Sequence, residues 1–260
     1  MNALPSLFIS HGAPSLVIED HPARDFLVGL GHTLTPRAVV VASAHWTTDE
    51  PTVSSAALPS TIHDFGGFPD ELFRMRHPAP GAPDLAKRIA GLLAANGLPC
   101  RSEDRGLDHG AWVPLKLMDP DARWPVVSLA VQPGRDAAHH LALGRALAPL
   151  YREGVLVIGS GSATHDLRSV AWNVREAPAW VHSFDDWLTA TLIAGDQDAL
   201  AAWDSAPDAR RNHPSPEHFL PLLVAAGAAG PGWRGRALHR SIAHGVLSMG
   251  VFAFERPSTG

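Results

Sequence analysis

The sequence has a single cysteine, Cys100, so no disulfide can form within the chain and a thiolate-rich metal site is excluded. It also lacks an excess of positive charge. The 21 Lys and Arg against 26 Asp and Glu leave a formal charge of −5, with no basic cluster to reverse it. That balance argues against a nucleic-acid or anionic-membrane partner. No apolar run reaches the ~18 residues a membrane span requires. The N-terminus does not join a basic segment to a long apolar core, so no secretory signal is evident. Together these absences predict a soluble, cytoplasmic protein. Internal repeats, low-complexity tracts and a clear interdomain linker are missing too. The 260 residues therefore read as one domain, a length ordinary for a single α/β unit.

What the sequence does carry is histidine, 15 in all, and their positions matter more than their number. The run Val39-Val-Val-Ala-Ser-Ala-His-Trp46 reads as a buried strand of a parallel sheet, because it is apolar and begins with three β-branched residues. It ends in His45, and in open α/β sheets ligands lie just beyond the carboxyl ends of the strands. Two other strand-like runs end the same way: residues 6–9 run into His11, and residues 155–158 run through Gly159-Ser-Gly-Ser162 to His165. A further buried strand is expected at 125–131, and residues 245–254 are expected to close the sheet at its edge. Helices are predicted near 22–30, 83–96 and 135–151, in a Trp-rich region at 178–204, and in a last helix opened by Ser215 as N-cap and Pro216. Residues 47–82 read as a long irregular loop whose paired glycines and aromatics suggest order and function. The expected fold is α/β, a single domain with a central, mostly parallel sheet flanked by helices and a metal site at the carboxyl edge of its strands.

His11, His45, His165 and His218 form the main candidate constellation. Imidazole suits Zn, Fe, Cu and Ni, and three such ligands with open positions make a catalytic site. His218 is expected in the first turn of its helix, where the dipole keeps the ring neutral. His109 and His63, next to Asp108 and Asp64, lie in loops and are candidates for substrate contact. His213 is a candidate supporting residue. The remaining histidines, 244 among them, read as surface or incidental positions. Gly159-Ser-Gly-Ser-Ala-Thr164 matches neither a dinucleotide turn, a P-loop nor a nucleophile elbow. Trp172, Trp180 and Trp187 read as packing residues.

Six ordered motifs carry a resemblance: Ser10-His-Gly12, Ser43-Ala-His-Trp46, His63-Asp-Phe-Gly-Gly-Phe-Pro69, Leu107-Asp-His-Gly110, Thr164-His-Asp-Leu-Arg168 and Pro216-Glu-His-Phe-Leu-Pro221. Over about residues 5–254 the chain resembles the class III extradiol ring-cleavage dioxygenases, in their DOPA 4,5-dioxygenase-like branch. The resemblance implies a non-haem Fe(II) centre, a site that Zn(II) also occupies, and a small catechol substrate cleaved with O2 to a ring-opened semialdehyde. It assigns His11, His45 and His218 as metal ligands and His165 as the acid–base residue, or as a fourth ligand under zinc. It places His109 at the substrate beside His63 and Asp64. Glu217 stands next to His218 where better-known relatives use a carboxylate, and the histidine is taken as the ligand. Two other functions remain compatible with the residues: a zinc-dependent hydrolase or hydratase, and a non-catalytic metal-binding protein on the same scaffold. A homo-oligomer is compatible with the sequence.

Overall fold

A computed structural model describes residues 4–256. Its strands are β1 (Ser6–Ser10), β2 (Ala38–Thr47), β3 (Thr52–Ser54), β4 (Arg101–Glu103), β5 (Val126–Val131), β6 (Val155–Gly161) and β7 (Arg234–His239), then the short pair β8 (Ile242–Ala243) and β9 (Leu247–Ser248), and finally β10 (Val251–Glu255). All but β8 and β9 form one sheet in the order β4-β3-β5-β2-β6-β1-β10-β7. The centre, β5-β2-β6-β1, is wholly parallel, whereas β10 runs antiparallel to β1 and β7 antiparallel to β10. The closing strand is therefore not the edge. Residues 234–239, too polar and exposed to read as a strand, pair outside it.

The central strands are mostly apolar because both faces of the sheet are covered. Leu7, Ile9, Val39, Val41, Leu156 and Ile158 face one side, packed with residues of α1 (Pro22–Gly31) and of a helix at His109–Met118. Alternate residues Phe8, Val40, Ala42, Val155 and Val157 face the other. That side is covered by α3 (Pro83–Ala95), which follows the short α2 (Asp70–Arg74) in sequence, and by helices at Ala137–Leu147 and Leu220–Ala228. In chain order the remaining helices are α4 (His109–Met118), α5 (Ala137–Leu147), α6 (Ala179–Ala194), α7 (Gln197–Ala201), α8 (Ala209–Asn212) and α9 (Leu220–Ala228). Burying each large aliphatic side chain contributes roughly 1.5–3 kcal/mol. Among the described residues no helix is long and apolar enough to cross a membrane.

Two local differences from expectation bear on the site. The 107–114 stretch starts a helix, not a polar loop. Asp108 caps it by accepting the Ala111 N–H, and Pro114 is carried inside it. The last helix begins at Leu220 rather than at Ser215, so His218 precedes it in a turn closed by the Phe219 N–H and the Pro216 carbonyl.

Candidate metal centre

β2, β6 and β1 are neighbours in the sheet and parallel, so their carboxyl ends stand side by side. His11 directly follows β1, His45 lies near the end of β2, and His165 follows β6 by four residues. The β2–β5 register shifts between Ser43 and Thr47. A bulge of this kind re-aims a side chain, and His45 lies within it. Gly110 at the start of α4 makes the approach possible, since a Cβ there would meet Ser43 Oγ at 2.6 Å and His45 Cδ2 at 3.0 Å. His218 arrives from the other side. Gly161 permits it, because a Cβ would lie 2.1 Å from the His218 carbonyl oxygen. The glycines of the 159–164 stretch, both at the end of β6, thus serve close packing, Gly159 against Pro221 and Gly161 against His218.

The result is three imidazoles with their Nε2 atoms together. His45 Nε2 lies 3.1 Å from His11 Nε2 and 3.2 Å from His218 Nε2. Each Nδ1 is engaged on the outside. Pro114 has no N–H for the carbonyl four residues back, that of Gly110, and the Ser160 hydroxyl donates to that carbonyl instead. Having spent its only proton, Ser160 can only accept from His11 Nδ1, at 3.0 Å. Glu217 Oε1 sits 3.0 Å from His218 Nδ1, and Asp64 Oδ2 faces His45 Nδ1 at 3.5 Å. With protons on all three Nδ1 atoms, the three Nε2 atoms present lone pairs to one another. Three acceptors at hydrogen-bond distance with no proton between them call for a cation. His11, His45 and His218 therefore fit a metal ion, and Glu217 lies behind a histidine rather than facing the centre.

Burial, followed by crowding from His45, His109, His218 and His165, holds His11 well below the usual histidine range. Burial and then His165 do the same to His218. Burial and His109 lower His45 to about 3 against the pull of Asp64. Burial alone would raise Asp64, but hydrogen bonding and charge from His109 outweigh it and hold the carboxyl at about 2. The set is thus neutral imidazoles with an ionised carboxylate behind them, the state metal binding requires.

His165 is stacked flat on His218, ring centroids 3.4 Å apart and planes 12° apart, and burial lowers it to about 4. His109 packs on His45 at 3.8 Å between centroids. Asp64 Oδ1 accepts the His109 backbone N–H at 2.9 Å and lies 3.0 Å from its Nδ1. These residues line a cavity of about 450 Å³ whose walls include Phe65, Phe68, Leu167, Val170, Trp172 and Leu247. His63 is not brought to it: its Nε2 faces the Met75 carbonyl at 3.0 Å and Arg76. His213 is buried, its Nε2 2.9 Å from the Ala163 carbonyl oxygen in the turn that leads to His165. Sequence reasoning missed Ser160, Trp172 and His244. Trp172 belongs to no helix and is 57% exposed at the cavity rim, and His244 lines the cavity from the β8–β9 connection.

Known proteins resemble this chain over most of its length. Residues 6–248 match the family model described as the catalytic LigB subunit of aromatic ring-opening dioxygenase. The chain is 44% identical over 260 residues to a 4,5-DOPA dioxygenase extradiol of Beta vulgaris, covering 97% of each chain. It is 41% identical to the protein of that name from Escherichia coli K12, covering 86% of this chain and 85% of that one. Among solved structures, the uncharacterized protein JW3007 from Escherichia coli K12 superposes with a TM-score of 0.81 at 34% identity, over 96% of this chain and 99% of that chain. The chain belongs to the family of the catalytic LigB subunit of aromatic ring-opening dioxygenase, as an extradiol ring-cleavage enzyme of the DOPA 4,5-dioxygenase-like branch.

Proposed function

We propose that this enzyme, acting as one catalytic domain, binds Fe(II) through His11, His45 and His218 and opens the ring of a DOPA-like catechol with O2. The observation that carries this reading is the trio of converging Nε2 atoms, 3.1 and 3.2 Å apart, at the floor of an aromatic-walled cavity. When bound, the metal supplies a Lewis-acidic, redox-active centre for catechol and O2; Zn(II) fits the same donors without the redox chemistry. His165 is neutral at pH 7 and able to take a catechol proton and return it as the ring opens. His109 and Asp64 border the same cavity, and Asp64 orients both His109 and His45. Phe65, Phe68 and Leu247 keep water from the face of the bound ring. The proposed setting is the cytoplasm, as expected from the sequence.

The test is anaerobic reconstitution with Fe(II), then a panel of catechols and O2, following O2 uptake and the absorbance of a ring-opened product. Uptake in step with product, lost in His45→Ala together with the metal, is the expected result. Stoichiometrically metallated protein that consumes no O2 with any catechol overturns the reading.

A further inference from the structure

Trp172 stands at the rim of the cavity over the histidines. A second cavity of about 370 Å³ lies beyond it, lined by Glu19, Asp20, His21, Trp172, Arg175 and His244 among others. Trp172 and His244 line both spaces, their ring centroids 4.5 Å apart. A substituent on a ring held in the inner cavity has this pair to pass.

The outer space carries unused negative charge. Among the described residues the Glu19 carboxylate makes no hydrogen bond, and its one charged or ring partner is His244 Nε2 at a loose 3.7 Å. Arg175 donates instead to the backbone carbonyl of Asp20 at 2.7 Å. His21 is fully engaged, since its Nδ1 accepts the Ala23 N–H and its Nε2 faces the Ile242 carbonyl at 3.1 Å. His244 is not. It is 7% exposed, and its Nδ1 has no hydrogen-bond partner among the described residues. With Nε2 turned to a carboxylate, Nδ1 is an acceptor that lacks a donor. No Lys or Arg of the described residues lies over Trp172, although four such contacts occupy other rings. A partly exposed carboxylate, a buried acceptor without a donor and a largely exposed indole with no cation over it are together the chemistry that binds an alkylammonium group.

We propose that this outer chamber is a subsite for a cationic ring substituent, with Glu19 pairing with the ammonium of an amine-bearing catechol while His244 and Trp172 flank it. The inference rests on the reading that the inner cavity holds the aromatic ring. It names residues that select among catechols, which the metal centre itself cannot do.

The test separates binding from turnover. Calorimetry compares tyramine with 4-ethylphenol, which share a ring and a two-carbon chain but differ in the ammonium; neither is a catechol. Wild-type protein prefers tyramine by about tenfold, the scale of a partly exposed charge pair with a cation–π contact, and Glu19→Gln abolishes that preference. With Fe(II)-loaded enzyme, the ratio of kcat/KM for dopamine to that for 4-ethylcatechol falls by the same factor in Glu19→Gln, through KM. Wild type that binds tyramine no better than 4-ethylphenol, or a Glu19→Gln variant that keeps the preference, overturns the subsite. A Glu19-dependent preference in protein that consumes no O2 with any catechol leaves the subsite standing and removes the dioxygenase reading instead.

Discussion

Replacing Ser160 with alanine tests the central physical claim, that a serine directly behind the cavity lining decides which nitrogen of His11 is free. Ser160 is fully buried, donates to the Gly110 carbonyl and accepts from His11 Nδ1 at 3.0 Å. The substitution strands both partners. Gly110 cannot recover a bond within the helix because residue 114 is proline, and His11 Nδ1 is left buried without an acceptor. Each orphaned group costs ~1–3 kcal/mol. His11 can escape its share by moving its proton to Nε2, which removes the lone pair aimed at the other two histidines. Losing such an orienting partner lowers metal affinity by about 10–100-fold. The assay is a competition titration of Fe(II) or Zn(II) against a chromophoric chelator, with circular dichroism to confirm folding. Ser128→Ala is the control, since Ser128 is equally buried in β5, two strands from β6 in the same sheet, but its hydroxyl has no partner among the described residues. Metal affinity in Ser160→Ala within about twofold of wild type, or an equal loss in Ser128→Ala, refutes the tautomer argument.

His165→Ala is expected to keep full metal stoichiometry while kcat falls by ~10²-fold or more, as for loss of an acid–base group; loss of metal with activity would instead make His165 a ligand. The metal-free protein is expected to lose stability as pH falls. His45 and His165 are lowered from 6.5 to about 3 and about 4, chiefly by burial. The unfolded chain therefore binds protons first, so the stabilisation present above pH 6.5 is lost between 6.5 and those values, at up to ~1.4 kcal/mol per pH unit for each histidine. Thermal melts of chelator-treated protein from pH 7.5 to 4.5 measure this, and a Tm that does not move across that range contradicts the neutral cluster.

Much of the fold was legible because the central strands are buried on both faces. Residues 38–44, 125–131 and 155–158 are apolar except for Ser43 and Ser128, and a period-independent apolar run of that length between turn signals has few other uses. Strand β7 was not legible for the opposite reason: Arg234, Arg236 and His239 leave it polar, and only pairing with β10 makes it a strand. Helix α4 was obscured by Pro114, which local rules assign to a helix start or a break. Tertiary contacts override that rule here, since the carbonyl that proline frees is taken by Ser160.

The candidate site divides along the same line. Histidines at strand ends announce themselves, because a polar ring has no packing reason to end an apolar run, and His11, His45 and His165 were placed by that logic alone. The residues that give those rings their chemical state carry no such mark. Ser160 reads in sequence as part of an ordinary Gly-Ser turn although it folds as the end of β6, and its role exists only because Pro114, 46 positions earlier by sequence number, leaves the Gly110 carbonyl without a donor. Glu217 stood as a rival ligand to His218 through the family resemblance, yet the turn before α9 sends its carboxylate to the outer nitrogen, 3.0 Å from Nδ1. Charge and adjacency identify which residues share a site; only the direction of each proton decides what they do there. In this protein those directions are set by one proline, one serine and two carboxylates, each acting from outside the ring of histidines.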